Sequence, residues 1–300
     1  MIDSLWRSVV TTLVALAVCG GASAESANPR PDQRVVMVTG STSGLGYEVA
    51  KALAEEGDHV IIHGRNSESG KRLVNEIMSG GRGSARFYRA DFSSLAEVHE
   101  LGKAILRDYD RLDVLVNNAG FFRSDDPVRY ESNDGLELHF QVNYLAGYVL
   151  TNALLPLLQQ SSPSRIVMVS SIGQRPLDFD NLMLESDYTP GQAYRQSKLA
   201  QIMMTFHCAD ELSERHVSIN ALHPSGLMNT PSVLRKGLEP RSSVLTGRDA
   251  VLQLINDDVG TGKYFNVFEE DRAHEQAYDE KAVAELMEVS RKLAWQSAAH

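Results

Sequence analysis

The sequence predicts an α/β fold: a single domain in which a parallel sheet carries helices on both faces. Short β-branched runs alternate with longer amphipathic stretches from Arg34 onward, and a glycine-rich turn joins the first run to the first helix. The runs are RVVMVTG (34–40), DHVIIHG (58–64), SARFYRA (84–90), LDVLVNNAG (112–120), SRIVMVSS (164–171), VSINALHP (217–224) and GKYFNVF (262–268). Helical stretches lie between them at 44–56, 67–78, 94–107, 135–160 and 192–214. Strand then helix, repeated with right-handed crossovers, gives a doubly wound, seven-stranded parallel sheet of Rossmann type, buried on both faces. No linker, change of composition or solenoid-length repeat divides residues 34–300, so one domain is expected there.

Composition narrows the function classes. With 43% hydrophobic and 23% charged residues the chain is ordinary globular material. Its net charge of −10 and the lack of any Lys/Arg run argue against a nucleic-acid partner. A small anion remains compatible, because local amides and one or two arginines outweigh a diffuse acidic surface at short range. Cys19 and Cys208 make no disulfide framework or zinc spacing, and the nine histidines include no H-x-x-x-H pair, so no metal site is expected.

Residues 1–33 read as a leader and linker. Arg7 precedes an uncharged apolar run from Val9 to Cys19, and Ala22-Ser23-Ala24 resembles a small-residue cleavage site. The run is short for a membrane span. A secretory signal peptide is the first reading and an uncleaved anchor, with membrane association, the second.

The glycine-rich turn carries the first functional expectation. In VVMVTGSTSGLGYEVAKAL, Gly40, Gly44 and Gly46 permit a tight turn and close backbone approach where a strand opens into a helix. A helix N-terminus there offers unpaired amides to a pyrophosphate, so Gly40, Ser41, Ser43, Gly44, Leu45 and Gly46 are expected to cradle a dinucleotide. The second run ends in VIIHGRN, with Arg65 and Asn66 where an NAD site places a carboxylate. A guanidinium binds a 2′-phosphate through two charge-assisted bonds, so NADP(H) is expected over NAD(H).

Tyr194 and Lys198 stand four apart in AYRQSKLAQ (193–201), on one face of a predicted helix. By themselves they fit either a solvated surface or a proton-handling pair. Taken with TGSTSGLG, NNAG (117–120), Asn143 in FQVNYLAG, and VSS ending at Ser171, the chain resembles the short-chain dehydrogenase/reductase family over residues 34–292. YRQSK and the long stretch before it look most like the retinol-dehydrogenase and WW-domain-oxidoreductase branch.

That resemblance implies an oxidoreductase interconverting a carbonyl and an alcohol, with Asn143, Ser171, Tyr194 and Lys198 as its catalytic residues. Tyr194 would be the general acid/base, Lys198 would favour its phenolate and bind the nicotinamide ribose, and Ser171 would hold the substrate oxygen. Ser170 is the neighbouring alternative; strand alternation turns only one of the two into the site. Asn143 would link Lys198 to solvent through water. Asn117 and Asn118 either tie loops together or meet the cofactor beside Ala119 and Gly120. Asp91, with Phe92, would meet the adenine, unless it caps a helix, a task Ser93 or Ser94 also fits.

Two departures from the family pattern stand out. Its Pro-Gly after the sixth strand reads His223-Pro224-Ser225-Gly226, leaving Pro224 and Thr230 as the contacts to the nicotinamide end. The stretch SIGQRPLDFDNLMLESDYTPGQAY carries about ten extra residues, which on such a rim shape a substrate pocket. The branch implies a small hydrophobic carbonyl or alcohol substrate and a homodimer or homotetramer through the long helices. NADPH demand favours a catalytic domain facing the cytoplasm, in tension with a cleaved leader. The alternatives are a non-catalytic NADP(H)-binding sensor or scaffold and, more weakly, a nucleotide-sugar epimerase, which needs a larger C-terminal domain.

Overall fold

The computed structural model describes residues 28–123, 127–235 and 237–296; the stretch expected to be a leader, with the Ala22-Ser23-Ala24 segment and Cys19, lies outside the described residues. Its elements are β1 (Val35–Val38), α1 (Gly44–Glu56), β2 (His59–Gly64), α2 (Ser67–Gly80), β3 (Ser84–Arg89), α3 (Leu95–Asp108) and β4 (Val114–Asn117). A π-helical turn (Phe140–Leu145) then runs into α4 (Ala146–Gln160), followed by β5 (Ser164–Val169), α5 (Pro190–Ser213) and β6 (Val217–His223). The chain continues through α6 (Pro231–Arg235), α7 (Val244–Asn256), β7 (Lys263–Asn266), β8 (Glu269–Glu270) and α8 (Glu280–Gln296).

The sheet order is β3-β2-β1-β4-β5-β6-β7-β8. All neighbours are parallel except β7 and β8, so the doubly wound sheet has eight strands rather than seven. The addition follows from a reversal at Val267, whose φ of 59° folds Glu270 back against Phe265. Two exposed glutamates carry no apolar signal of a strand.

β1 explains the sheet's double burial. Val35 and Met37 belong to the core cluster shared with α3, α4, α5 and α8, whereas Val36 and Val38 belong to the cluster shared with α1, α2 and α7. Alternation thus sends one apolar set into each layer, and all four side chains are buried. The helices start where the sequence supplies acceptors: Asn66 and Ser94 accept from Ser69 and Glu97 amides, and Thr189 accepts from Gln192 ahead of Pro190. The expected helix at 135–160 is interrupted. Glu137 Oε2 accepts from the Phe140 amide at 2.8 Å, and the wider π-turn follows. No helix among the described residues is long and apolar enough to cross a membrane.

Buried imidazoles set the acid limit of this fold. His59 lies between Ser84 Oγ at 2.8 Å and the Tyr109 hydroxyl at 2.9 Å. Burial lowers His59, His63 and His223 from 6.5 to about 4 each. The unfolded chain therefore takes up protons below about pH 6.5 that the fold refuses until about pH 4. Stability from these groups is complete above that window and is lost as the pH falls through it. Calorimetry is expected to show Tm falling between about pH 7 and pH 5, with a shallower fall in His59→Asn.

Candidate active site

The turn after β1 is pressed against the turn after β4. Thr39 Oγ1 accepts from the Asn118 and Ala119 amides, each at 2.9 Å, and Asn118 Nδ2 donates to the Thr39 carbonyl at 2.7 Å. Gly40, at φ 64°, has no room for a side chain: a Cβ there would lie 2.8 Å from Ala119 Cα. At Gly46 a Cβ would lie 2.4 Å from Asn118 Nδ2. These two glycines serve close approach of backbone to backbone.

His63 fastens the same turn from the other side. Its Nδ1 accepts from the Gly40 amide at 3.2 Å, its Nε2 lies 3.2 Å from the Ala90 carbonyl oxygen, and its ring stacks on Phe92 at 4.3 Å. Those bonds require the neutral tautomer with hydrogen on Nε2. Ser41 Oγ donates to the Val38 carbonyl at 2.7 Å and accepts from the His63 amide at 3.1 Å.

Three expected contacts thus have their side chains inside the protein. Ser41 and Phe92 build the loop. Asn117 is buried, with Nδ2 donating to Thr151 Oγ1 at 3.0 Å, so its amide ties the sheet to α4. Asn66 caps α2, and Asp91 Oδ1 accepts from the Ser93 amide at 3.0 Å. Asn118 is committed to the Thr39 and Gly40 carbonyls.

Other groups are free to meet a ligand along the strand ends. Ser43 is exposed ahead of α1 and makes no side-chain cap, and the first turn, from Gly44 through Leu45 and Gly46, carries no acid to repel phosphate. Arg65 is 70% exposed, its nearest carboxylate being Asp91 at 3.7 Å. Gly120 is exposed and Ala119 half-buried. Thr230 closes over the loop, 3.6 Å from where a Gly44 Cβ would stand, so the altered turn after β6 still returns it to the crevice. Pro224 is buried at the base of that turn. This donor set fits a dinucleotide phosphate.

The proton-handling residues gather at the ends of β5 and α5. Ser170 Oγ donates to the Lys198 carbonyl at 2.7 Å inside the core, which turns Ser171 toward the cleft. Tyr194 stands beside the Ser171 side chain, and its ring lies 4.5 Å from that of Phe122. Burial raises the Tyr194 phenol above its ordinary range, and the neighbouring Ser171 side chain partly offsets this. Lys198 is 4% exposed, and burial lowers it to about 7. Its Nζ donates to the Val169 carbonyl at 2.8 Å and Gln201 Oε1 at 3.0 Å, 5.8 Å from the centre of the Tyr194 ring.

Asn143 has both ends of its amide engaged. Oδ1 accepts from the Phe121 amide at 2.6 Å, and Nδ2 donates to the Phe121 carbonyl at 3.1 Å and Ser197 Oγ at 2.9 Å. These bonds fasten the loop that carries Phe121 to α5, and Oδ1 keeps a second lone pair as an acceptor.

Sequence reasoning missed Thr39, Gln201, Phe122 and Tyr264, whose hydroxyl donates to the Ser171 carbonyl at 3.1 Å. Gln201 had a signal, since it falls three residues after Lys198 on the same helix face. Tyr264 had none. The rim segment is held by amides: Gln276 brackets the Leu177 backbone at 2.7 and 3.0 Å, and Gln196 donates to the Leu182 carbonyl at 2.8 Å.

A dinucleotide-type loop and a Ser-Tyr-Lys group, both at the carboxyl ends of parallel strands, define a Rossmann-fold oxidoreductase that uses NAD(P) and acts on CH–OH groups. Residues 34–238 match the short chain dehydrogenase family, and the chain belongs to it, in the retinol dehydrogenase branch. It is similar to retinol dehydrogenase 13 of Mus musculus, 30% identical over 316 residues covering 97% of this chain and 92% of that protein. Polyprenol dehydrogenase of Homo sapiens is 39% identical over 211 residues, 67% of this chain and 62% of that one. Among solved structures, a short chain dehydrogenase from Escherichia coli CFT073 complexed with NADPH aligns with a TM-score of 0.65 at 28% identity, over 79% of this chain and 97% of that one. One from Shigella flexneri 2a complexed with NADP aligns equally well, TM-score 0.65 at 26% identity, over the same 79% and 97%.

Thr39→Val removes the acceptor for two loop amides. It is expected to lower stability in urea by roughly 2 kcal/mol, whereas Thr39→Ser, which keeps the hydroxyl, retains most of it.

Proposed function

We propose that this chain interconverts a hydrophobic aldehyde or ketone and its alcohol with NADP(H), with Tyr194 as general acid/base. The observation that carries the reading is Tyr194 beside Ser171, with the buried Lys198 one helical turn on and its Nζ 5.8 Å from the centre of the Tyr194 ring.

The Gly44, Leu45 and Gly46 amides and Ser43 are assigned to the pyrophosphate, and Arg65 to a 2′-phosphate. Asp91, Ala119 and Gly120 would flank the adenosine half, and Lys198, Tyr194, Pro224 and Thr230 the nicotinamide half. When bound, the dinucleotide supplies hydride to the carbonyl carbon, or accepts it from the alcohol. Tyr194 gives its phenolic proton to the oxygen in reduction and takes it back in oxidation. Ser171 donates to that oxygen as negative charge develops. The raised phenol keeps its proton at neutral pH, the form reduction needs. Support for NADP(H) comes from the exposed guanidinium at the end of β2, and from the NADP and NADPH held by the two related structures. Phe122 packs against Tyr194, and Ile172, next to Ser171 in the chain, is exposed, in keeping with relatives named for retinol and polyprenol.

Tyr194→Phe is expected to lower kcat for NADPH-dependent reduction of all-trans-retinal about a thousandfold while NADPH still binds. Retained turnover would remove Tyr194 from the chemistry. Fluorescence titration of Arg65→Asp is expected to show NADPH affinity reduced at least about tenfold, with NADH little affected. Equal loss for both nucleotides would remove the 2′-phosphate assignment.

A further inference from the structure

Lys198 has a partner on its own helix that the family motif does not include. Gln201 presents Oε1 to Nζ at 3.0 Å and is 1% exposed, as deeply buried as the aliphatic residues around it. An apolar side chain would fill this place without the desolvation penalty of an amide, so packing does not account for it.

The surroundings of Nζ make that amide matter. β5 contributes the Val169 carbonyl at 2.8 Å, and α5 contributes Gln201 and the Tyr194 ring. The turn after β4 contributes Gly120, where a Cβ would lie 3.9 Å from Nζ and 3.7 Å from Asn143 Oδ1. The titratable neighbour is Tyr194, beside Ser171, whose carbonyl accepts from the Tyr264 hydroxyl of β7. Among the described residues no charged group contributes to lowering Lys198; burial alone does so. The ammonium form is therefore held by two neutral dipoles, neither of which cancels its charge. A carboxylate at position 201 would cancel that charge, and an aliphatic residue would leave a single acceptor.

We propose that Gln201 is a positioning residue for the proposed reaction, its amide oxygen holding Lys198 charged and seated against β5 without neutralising it. This rests on the reading of Tyr194 and Lys198 as the proton-handling pair.

Competitive labelling of the full chain with acetic anhydride, read by mass spectrometry on the peptide carrying Lys198, tests it without a substrate. Relative to wild type, the ionisation midpoint of Lys198 is expected to fall by about one pH unit in Gln201→Leu and to rise by about as much in Gln201→Glu. Gln201→Asn, which keeps the amide, is expected to stay near wild type. kcat for reduction of all-trans-retinal is expected to fall about tenfold in both Gln201→Leu and Gln201→Glu, with KM little changed. Opposite shifts of one midpoint are not a product of general destabilisation. Should Gln201→Leu fail to fold, the upward shift in Gln201→Glu and the wild-type behaviour of Gln201→Asn decide the matter. Midpoints that coincide with wild type in Gln201→Glu and Gln201→Asn would overturn the proposal. Lys198→Ala with wild-type turnover would instead overturn the underlying reading, whatever the labelling shows.

Discussion

One hydroxyl joins the turn after β1 to the turn after β4, and the site is assembled around that junction. Thr39 accepts from two successive amides of the β4 turn, while Gly40 and Gly46 let the backbones touch. The chain leaves β1 toward β2 on one side, and β4 pairs with β1 on the other, so this is where the strand order reverses and a crevice opens. β5 lies next to β4 and delivers Ser171 to the crevice; α5, packed over the sheet, delivers Tyr194 and Lys198. Shift the junction, and the phosphate loop moves relative to the proton-handling group.

The electrostatic character of the site is that of neutral groups in a dry setting. Burial raises Tyr194 and lowers Lys198, both toward their uncharged forms. The sequence alone suggests an ammonium placed directly on a phenolate. In the fold Nζ is seated on a backbone carbonyl and an amide, 5.8 Å from the centre of the Tyr194 ring. Charge at this site is thus most strongly favoured once the other partner is charged too.

Legibility in the sequence followed the kind of signal. The parallel strands were readable because residues such as Val35 to Val38 are apolar on both faces, and α1, α2, α3 and α5 because their starts carry glycine, asparagine, serine or threonine at the boundary. β8 was not readable, since Glu269 and Glu270 pair through backbone alone. Nor was the π-turn, which depends on Glu137 reaching the Phe140 amide. At the site, spacing on one helix indicated Tyr194 and Lys198. It did not say which polar side chains of a glycine-rich loop face inward, so Ser41, Phe92 and Asn117 emerge as internal ties. Tyr264 reaches Ser171 from a strand 93 residues away, a relation only the sheet order creates.

The rim over the cleft is fastened in an unusual currency. Gln276, Gln196, Asn181 and Gln174 bond to backbone along residues 171–186, joined by one charged donor, Arg129, whose Nε reaches the Met183 carbonyl at 2.9 Å. Carboxamides neither titrate nor gather counterions. The part of the mouth that carboxamides hold is therefore indifferent to ionic strength, and any response to salt is confined to the stretch that Arg129 holds.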